Sequence, residues 1–218
     1  MKYLWWTLGI VSTAVVTREL WLAFVTRRAR RRTVFSLAQQ RAQQLGKPLI
    51  VVGNPAGGII MQFFGPDYTC GSICVDATGC PGCETQVVGR LEDVLPHMDA
   101  NSAVVFVSNA LEFVDDIVFV ANQLDRISGG NLFITHTESA SLTGWFWPGA
   151  KRRILFAPPE SPDLIYKTLP WHPEPQSAPL YVISLPNVRQ RLVGVLPQPV
   201  VPPPGVSSVI DTDGFEVD

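Results

Sequence analysis

A short apolar run that ends in a glycine-rich turn constrains the fold of this chain more than any other feature. Residues 48–52 read Pro-Leu-Ile-Val-Val, and residues 53–58 continue as Gly-Asn-Pro-Ala-Gly-Gly. A second apolar run, Ser-Ile-Cys-Val, follows at residues 72–75 and closes on Asp76. A strand, a glycine turn and an acid at the end of the next strand about 20 residues on are the layout of a nucleotide-type cofactor site.

The segments after Asp76 continue an alternation of strand and helix patterns. An apolar run at residues 102–107 precedes a helical pattern that reaches Ile127, and a Gly129-Gly130 turn leads into another apolar run. This order predicts an α/β fold with a doubly wound, mostly parallel sheet. Ligands of such sheets bind at the carboxyl ends of the strands.

The N-terminal segment predicts a membrane anchor. Residues 3–25 are almost continuously apolar, and at 1.5 Å per residue these 23 residues are long enough for a bilayer core of about 30 Å. The polar triplet Thr17-Arg18-Glu19 interrupts the run. An alternative is therefore a shorter span that ends near Val16, followed by an amphipathic helix that lies on the membrane surface.

The distribution of charge predicts an orientation and excludes one class of partner. Five arginines lie between residues 27 and 32, and the positive-inside rule places this flank, and hence the body, on the cytoplasmic side. We interpret the cluster as a stop-transfer flank, with dedicated binding of anionic lipid or nucleic acid as the alternative. Residues 34–218 carry ten basic and eighteen acidic side chains, so no nucleic acid is expected on the body.

Composition divides the chain into three parts. Residues 1–32 form the transmembrane or interfacial anchor with its basic flank, and residues 33–157 form the α/β domain. Prolines recur through residues 158–218, which predicts a Pro-rich, largely extended tail that would bind a protein partner. Two short apolar pieces in it, at residues 180–185 and 193–196, could dock as strands on the body or on that partner.

Residues 49–137 together resemble a class I S-adenosylmethionine-dependent methyltransferase of the small-molecule type, a Rossmann-type family. The resemblance implies S-adenosylmethionine as the cofactor. In this family the glycine turn lies against the methionine part of the cofactor, which assigns that role to Gly53, Asn54 and Gly57. The acid that ends the second strand bonds the ribose hydroxyls, which assigns that role to Asp76.

Three later segments extend the resemblance. An acid before a Leu-Pro pair bonds the adenine in the family, and here it falls on Glu92 or Asp93. Residues 108–116, which include Asn109, resemble the exit of the fourth strand, whose polar start lines the site. Gly129-Gly130 resembles the turn before the fifth strand.

The sequence also departs from the family. Val51 stands where the family usually has an acid, and Ala103 stands near the start of the fourth strand, where another acid is usual. These departures favour an alternative function. In that alternative the chain is a catalytically inactive methyltransferase-fold protein that serves the structure or assembly of a membrane complex or virion.

The cysteines and histidines offer further candidates. Cys80 and Cys83 form a Cys-x-x-Cys that could bind zinc or form a redox-active disulfide, but the sequence more strongly favours no special role. Cys74 is expected in the core, and a cytosolic body would keep its thiols reduced. His136, at the end of the predicted fifth strand, is the candidate general base.

An aromatic triplet at residues 145–147, Trp-Phe-Trp, has three candidate roles. It could cap a substrate pocket, pack at the membrane interface or cover a sheet edge.

Overall fold

The computed structural model describes residues 2–57, 64–137, 141–158, 162–169 and 180–188. Its centre is a five-stranded sheet in the order β3-β2-β1-β4-β5, and every pairing in it is parallel. The strands are β1 (Leu49–Val52), β2 (Ile73–Asp76), β3 (Gln86–Val88), β4 (Val104–Ser108) and β5 (Leu132–Thr135). The predicted α/β fold with a mostly parallel sheet is confirmed.

Both faces of the sheet are covered, because alternate side chains of each central strand point to opposite sides. Leu49 and Val51 of β1 pack with the helix α2 (Arg27–Leu45), in one apolar cluster. Ile50 and Val52 belong to a second cluster, which contains the helix α4 (Ile117–Ser128). The apolar runs of the sequence are therefore strands buried on both faces.

The N-terminal helix is long and largely exposed at its start. It consists of α1 (Lys2–Trp21), a π-helical turn at Leu22–Thr26 and α2, which ends at Gly46 with φ 61°. Trp5–Leu45 contains one window that is long and apolar enough to cross a membrane, and none of that window is buried against the rest of the described chain. Apolar side chains are exposed all along α1, which is typical of a helix whose surroundings are themselves apolar.

The interruption at Arg18 and Glu19 marks where the helix begins to contact the body. Glu19 accepts hydrogen bonds from Ser141 Oγ at 2.8 Å and from Leu142 N at 3.0 Å, and Arg18 pairs with it at 2.8 Å. Glu19 of the polar triplet is thus bound to the body by tertiary contacts. The predicted boundary after residue 32 falls inside the continuous helix α2.

A second sheet incorporates part of the predicted tail. Strands β6 (Arg152–Phe156), β7 (Asp163–Thr168) and β8 (Tyr181–Ser184) pair antiparallel in that order. Leu164, Ile183 and Leu185 join the main apolar cluster, so the folded body extends beyond residue 157. The first apolar piece of the tail docks as a strand on this body, as one of the two alternatives allowed, while residues 193–196 lie outside the described residues.

Short elements connect the strands around the ends where β1, β2 and β4 finish. They are α3 (Leu91–Val94), a 3₁₀ turn at Leu95–His97 and another at Thr143–Trp145. The side chain of Asp116 caps α4 by accepting from Phe119 N at 2.9 Å, and Gly129 ends that helix with φ 54°.

Candidate functional site

A cavity of about 1060 Å³ opens at the carboxyl ends of β1, β2 and β4. The chain leaves β1 toward β2 on one side and reaches β4 on the other, so this edge is the point where the strand order reverses. Six of the seven residues predicted to bind the cofactor line the cavity: Gly53, Asn54, Gly57, Asp76, Glu92 and Asn109. Gly58, the last residue of the predicted turn, lies outside the described residues.

Gly53 holds the first position of the turn because two strands meet there. Its φ is 105°, and a Cβ on it would lie 2.8 Å from Ser108 O of β4. Its amide donates to Val75 O of β2 at 2.9 Å. Only glycine accommodates both this backbone angle and this close approach of strands.

Asp76 fixes the turn as well as facing the cavity. One carboxylate oxygen accepts from Asn54 N at 3.0 Å, and the other accepts from Thr78 N and Thr78 Oγ1, each at 2.8 Å. A carboxylate has about four acceptor positions, so about one remains for a ligand hydroxyl. Asp76 thus has a structural role, because its carboxylate holds the glycine turn through the hydrogen bond from Asn54 N.

The two acids of α3 have different surroundings. Glu92 lines the cavity and accepts from Asp115 N at 2.6 Å and from Asp116 N at 3.4 Å. Asp93 is exposed and is not among the residues that line the cavity. The alternative assignment of the adenine contact to Asp93 is therefore not supported, because successive helical residues point in different directions.

Asn109 leaves β4 in a strained backbone conformation. Its φ is 49°, an uncommon value for a residue other than glycine. Its amide nitrogen Nδ2 donates to Thr137 Oγ1 at 3.0 Å, while its buried Oδ1 has no hydrogen-bond partner among the described residues. Such strain and unmet bonding capacity are concentrated at ligand sites in other proteins.

Sequence reasoning missed the basic wall of the cavity. Arg27, Arg28 and Arg31 of α2 line it together with Ala23 of the preceding turn. The sequence predicts a free flank for these arginines, but the structure directs them into the body. The four-residue spacing of Ala23, Arg27 and Arg31 places them on one helix face, which is the signal that could have identified this wall.

Tyr68 was also missed, and it lies beneath the glycine turn. Its hydroxyl lies 3.4 Å from Gly53 O and 3.3 Å from Asn54 O, and burial raises the pKa of this phenol. Its ring packs against Phe35 and Phe106. No sequence motif marks this residue.

A charged cluster borders the cavity beside α3. Asp115 forms ion pairs with Arg90 and Lys151, and Arg90 Nε also lies 3.8 Å from Glu92 Oε2. All four residues line the cavity. This end therefore combines acceptors with neutralising cations, which suits a ligand with hydroxyl and amino groups.

Glu112 is a buried acid between the two sheets. It accepts from Thr137 N at 3.3 Å through Oε1, and its Oε2 has no hydrogen-bond partner among the described residues. Burial raises the pKa of this carboxyl, which favours its protonated form.

His136 does not lie where a general base would act. It is 3% exposed, its Nδ1 lies 2.9 Å from Thr137 O, and it does not line the cavity. A base must reach the proton that it removes, so the structure does not support the catalytic role considered for His136.

The cysteines correct two expectations. They form two disulfides, Cys70–Cys83 and Cys74–Cys80, so the expectation of reduced thiols is wrong and Cys80 does not pair with Cys83. The sulfur atoms of Cys74, Cys80 and Cys83 lie within 4.8 Å of one another, but zinc binds thiolates and disulfides do not supply them. Folding of the loop after β2 brings these distant sulfurs together.

The three aromatic residues of the triplet have separate environments. Trp147 lines the cavity, with the Arg27 guanidinium 5.9 Å from its ring. Trp145 lies 4.8 Å from the Arg153 guanidinium on the second sheet. Phe146 is 73% exposed. Of the three roles considered, the position of Trp147 is compatible with capping a pocket.

Comparison with known proteins yields one distant similarity. No protein-family model matches the chain, and no curated protein matches it. A matching solved structure is the complex between the Haloferax volcanii Trm112 methyltransferase activator and a proposed methyltransferase, with a TM-score of 0.26 and 16% identity. The match covers 50% of this chain and 54% of that chain, about half of each. At this TM-score it carries no argument, so the α/β assignment rests on strand order and register.

Proposed function

We propose that this chain is a membrane-anchored, methyltransferase-like protein that binds S-adenosylmethionine and acts on a small molecule or lipid. The observation that carries the proposal is the convergence of Gly53, Asn54, Asp76, Glu92 and Asn109 on one cavity. They come from separate strand ends and meet where the strand order reverses, which is where α/β sheets bind nucleotide-type ligands.

The residues present fit this cofactor. Asp76 retains an acceptor position for a ribose hydroxyl, Glu92 offers a carboxylate for the adenine amino group, and Asn109 Oδ1 is a buried acceptor without a hydrogen bond among the described residues. The turn at Gly53 lets backbone approach the ligand closely. The cavity volume is at the upper end of the usual range for ligand sites, which leaves room for a second ligand.

S-adenosylmethionine supplies an electrophilic sulfonium methyl group when bound. The task of this chain would be to hold a nucleophile in line with that group and to exclude water, since methyl transfer needs alignment more than a dedicated base. Trp147 and Tyr68 also line the cavity.

Calorimetric titration of the detergent-solubilised full chain with S-adenosylmethionine tests the proposal. The full chain is needed because α2 forms one wall of the cavity. We expect micromolar binding that Asp76→Asn and Glu92→Gln each weaken at least tenfold, corresponding to about 1.4 kcal/mol or more. Asp93→Asn is the matched control, since this acid is exposed and off the cavity, and it should bind as the unaltered chain does. Absence of binding at millimolar ligand would refute the enzyme proposal.

A second candidate keeps the fold without the chemistry. Val51 is fully buried against α2, so β1 presents no acid to the cavity at the position where the family has one. Ala103 is likewise buried. These two residues favour a catalytically inactive protein that assembles a membrane complex or virion, and the same titration separates the candidates. Retained stability without cofactor binding would support this second function.

A further inference from the structure

Three arginines of α2, two of which line the cavity, share the buried carboxylate of Asp67. Asp67, which is 6% exposed, is shared by Arg28 at 2.6 Å, Arg31 at 3.5 Å and Arg32 at 3.6 Å. One carboxylate thus serves three guanidinium groups. Arg27, which is 4% exposed, also lines the cavity.

Arg31 in particular retains bonding capacity inside the body. Its side chain is 11% exposed, and its Nε has no hydrogen-bond partner among the described residues. A buried guanidinium that is incompletely paired is costly unless an anion completes its shell. Guanidinium groups bind phosphate through two parallel hydrogen bonds, so several of them on one helix face suit a phosphate group.

The same wall lies close to the end of the exposed apolar helix. Arg27 follows Val16 by eleven residues, which is about 16 Å along a helix. Residues 141–147 connect the two places, since Leu142 N donates to Glu19 and Trp147 lines the cavity. Leu142 and Phe146 of this segment are exposed, as aromatic and apolar residues are at a membrane surface.

We propose that Arg27, Arg28 and Arg31 form a subsite for the phosphate of an anionic phospholipid headgroup, presented from the membrane that holds α1. The inference rests on the proposed function in taking this lipid as the methyl acceptor. The phosphate would lie against α2, opposite the cofactor residues Asp76 and Glu92. The exposed side chains of Leu142 and Phe146 would contact the lipid surface beside the cavity.

Calorimetric titrations of the full chain in a neutral detergent, without S-adenosylmethionine, test the subsite directly. The probes are dihexanoyl phosphatidylglycerol below its micelle concentration and inorganic phosphate. We expect the lipid to bind at least tenfold more tightly than phosphate. Arg31→Gln should weaken lipid binding at least tenfold, whereas Arg32→Gln, whose side chain is 58% exposed and off the cavity, should change it less than twofold.

Three outcomes would overturn the inference. Equal affinity for phosphate and lipid would indicate a soluble phosphorylated ligand, and no binding of either probe would exclude the subsite. Competition between the lipid and S-adenosylmethionine would assign the arginines to the carboxylate of the cofactor instead. If Arg31→Gln does not fold, as judged by circular dichroism, Arg27→Gln replaces it. Asp76→Asn should retain lipid binding, so failure of the cofactor site and failure of this subsite remain distinguishable.

Discussion

Gly53 is the residue on which the geometry of the site depends most closely. Its positive φ and the short distance that a Cβ at this position would have to Ser108 O act together. Gly82 provides a comparison, because its φ of 88° is similar and nothing lies within 4 Å of its Cβ position. Comparing substitutions at Gly53 and Gly82 therefore separates the cost of backbone strain from the cost of steric crowding.

We predict that Gly53→Ala destabilises the protein more than Gly82→Ala does. Both substitutions carry a backbone cost of about 1–3 kcal/mol, and Gly53→Ala adds an overpacking cost of about 1–3 kcal/mol. Thermal unfolding in detergent measures the difference. Equal losses for the two variants would show that β1 and β4 do not approach each other as described.

The buried carboxyl of Glu112 predicts that the stability of the protein depends on pH. Because burial raises the pKa of this carboxyl, the folded state holds its proton more tightly than the unfolded state does. The contribution of Glu112 to the free energy of unfolding is therefore present at low pH and is lost as pH rises above the ordinary value of 4.5. Glu112→Gln should remove this dependence, so its stability relative to the unaltered chain should increase with pH.

Denaturant unfolding at about pH 4.5, 6 and 7.5 measures this effect, because each tenfold difference in proton affinity between the folded and unfolded states corresponds to about 1.4 kcal/mol. Asp93→Asn is the control, since that carboxyl is exposed. A constant difference between Glu112→Gln and the unaltered chain across this range would contradict the prediction.

Among the elements, the loop between β2 and β3 is fastened by both disulfides. Cys70–Cys83 and Cys74–Cys80 are 13 and 6 residues apart in sequence, and Cys74 lies two residues before Asp76. Disulfides persist in oxidising compartments, which argues against the cytoplasmic side predicted from the arginines. The prediction from charge is also weakened because Arg27, Arg28 and Arg31 are part of the body.

We predict that the unreduced chain, unfolded in guanidinium, does not react with a thiol reagent. Reduction with dithiothreitol should cost about 2–3 kcal/mol of stability for each bridge, through the greater freedom of the unfolded chain. Peptide mapping without reductant checks the two pairings. Reaction of all the cysteines as thiols, or zinc retained by the purified chain, would contradict the disulfide assignment.

For the whole molecule, the relation of anchor and body yields a prediction about truncation. Glu19 contacts residues 141 and 142, and α2 packs on the sheet, so the body begins near residue 17. We expect alkaline carbonate to leave the full chain in membranes and to release a chain that lacks residues 1–16. Carbonate release of the full chain would instead indicate a helix that lies on the surface.

Removal of residues 1–33 provides the contrasting truncation. It would leave buried Asp67 without its arginine partners, at a cost of about 3–5 kcal/mol. That chain should unfold at a lower temperature than the chain that lacks residues 1–16. Equal stability of the two truncated chains would show that the arginines at the start of α2 contribute little to the stability of the body.

The sequence by itself determined the strands and helices that local patterns specify. It also identified residues whose role follows from their position at the end of a strand. Neighbouring residues alone are enough to assign the strand at residues 49–52, the glycine after it and Asp76, because strand periodicity and turn chemistry are local. That information sufficed to predict the α/β fold, and the resemblance to the methyltransferase family then named six residues that line the cavity.

Only the tertiary structure decided which side chains from distant elements meet. Val34 and Ala38 of α2 pack on the sheet, and the arginines that line the cavity lie nearer the N-terminus of the same helix. Arg27 and Arg31 continue that helix face at three- and four-residue spacing, so the face that covers the sheet also forms the wall of the cavity. The disulfide pairing, the position of Tyr68 and the second sheet likewise depend on contacts between residues far apart in sequence. Packing of apolar surface fixes these relations, and local sequence patterns do not specify which distant elements meet.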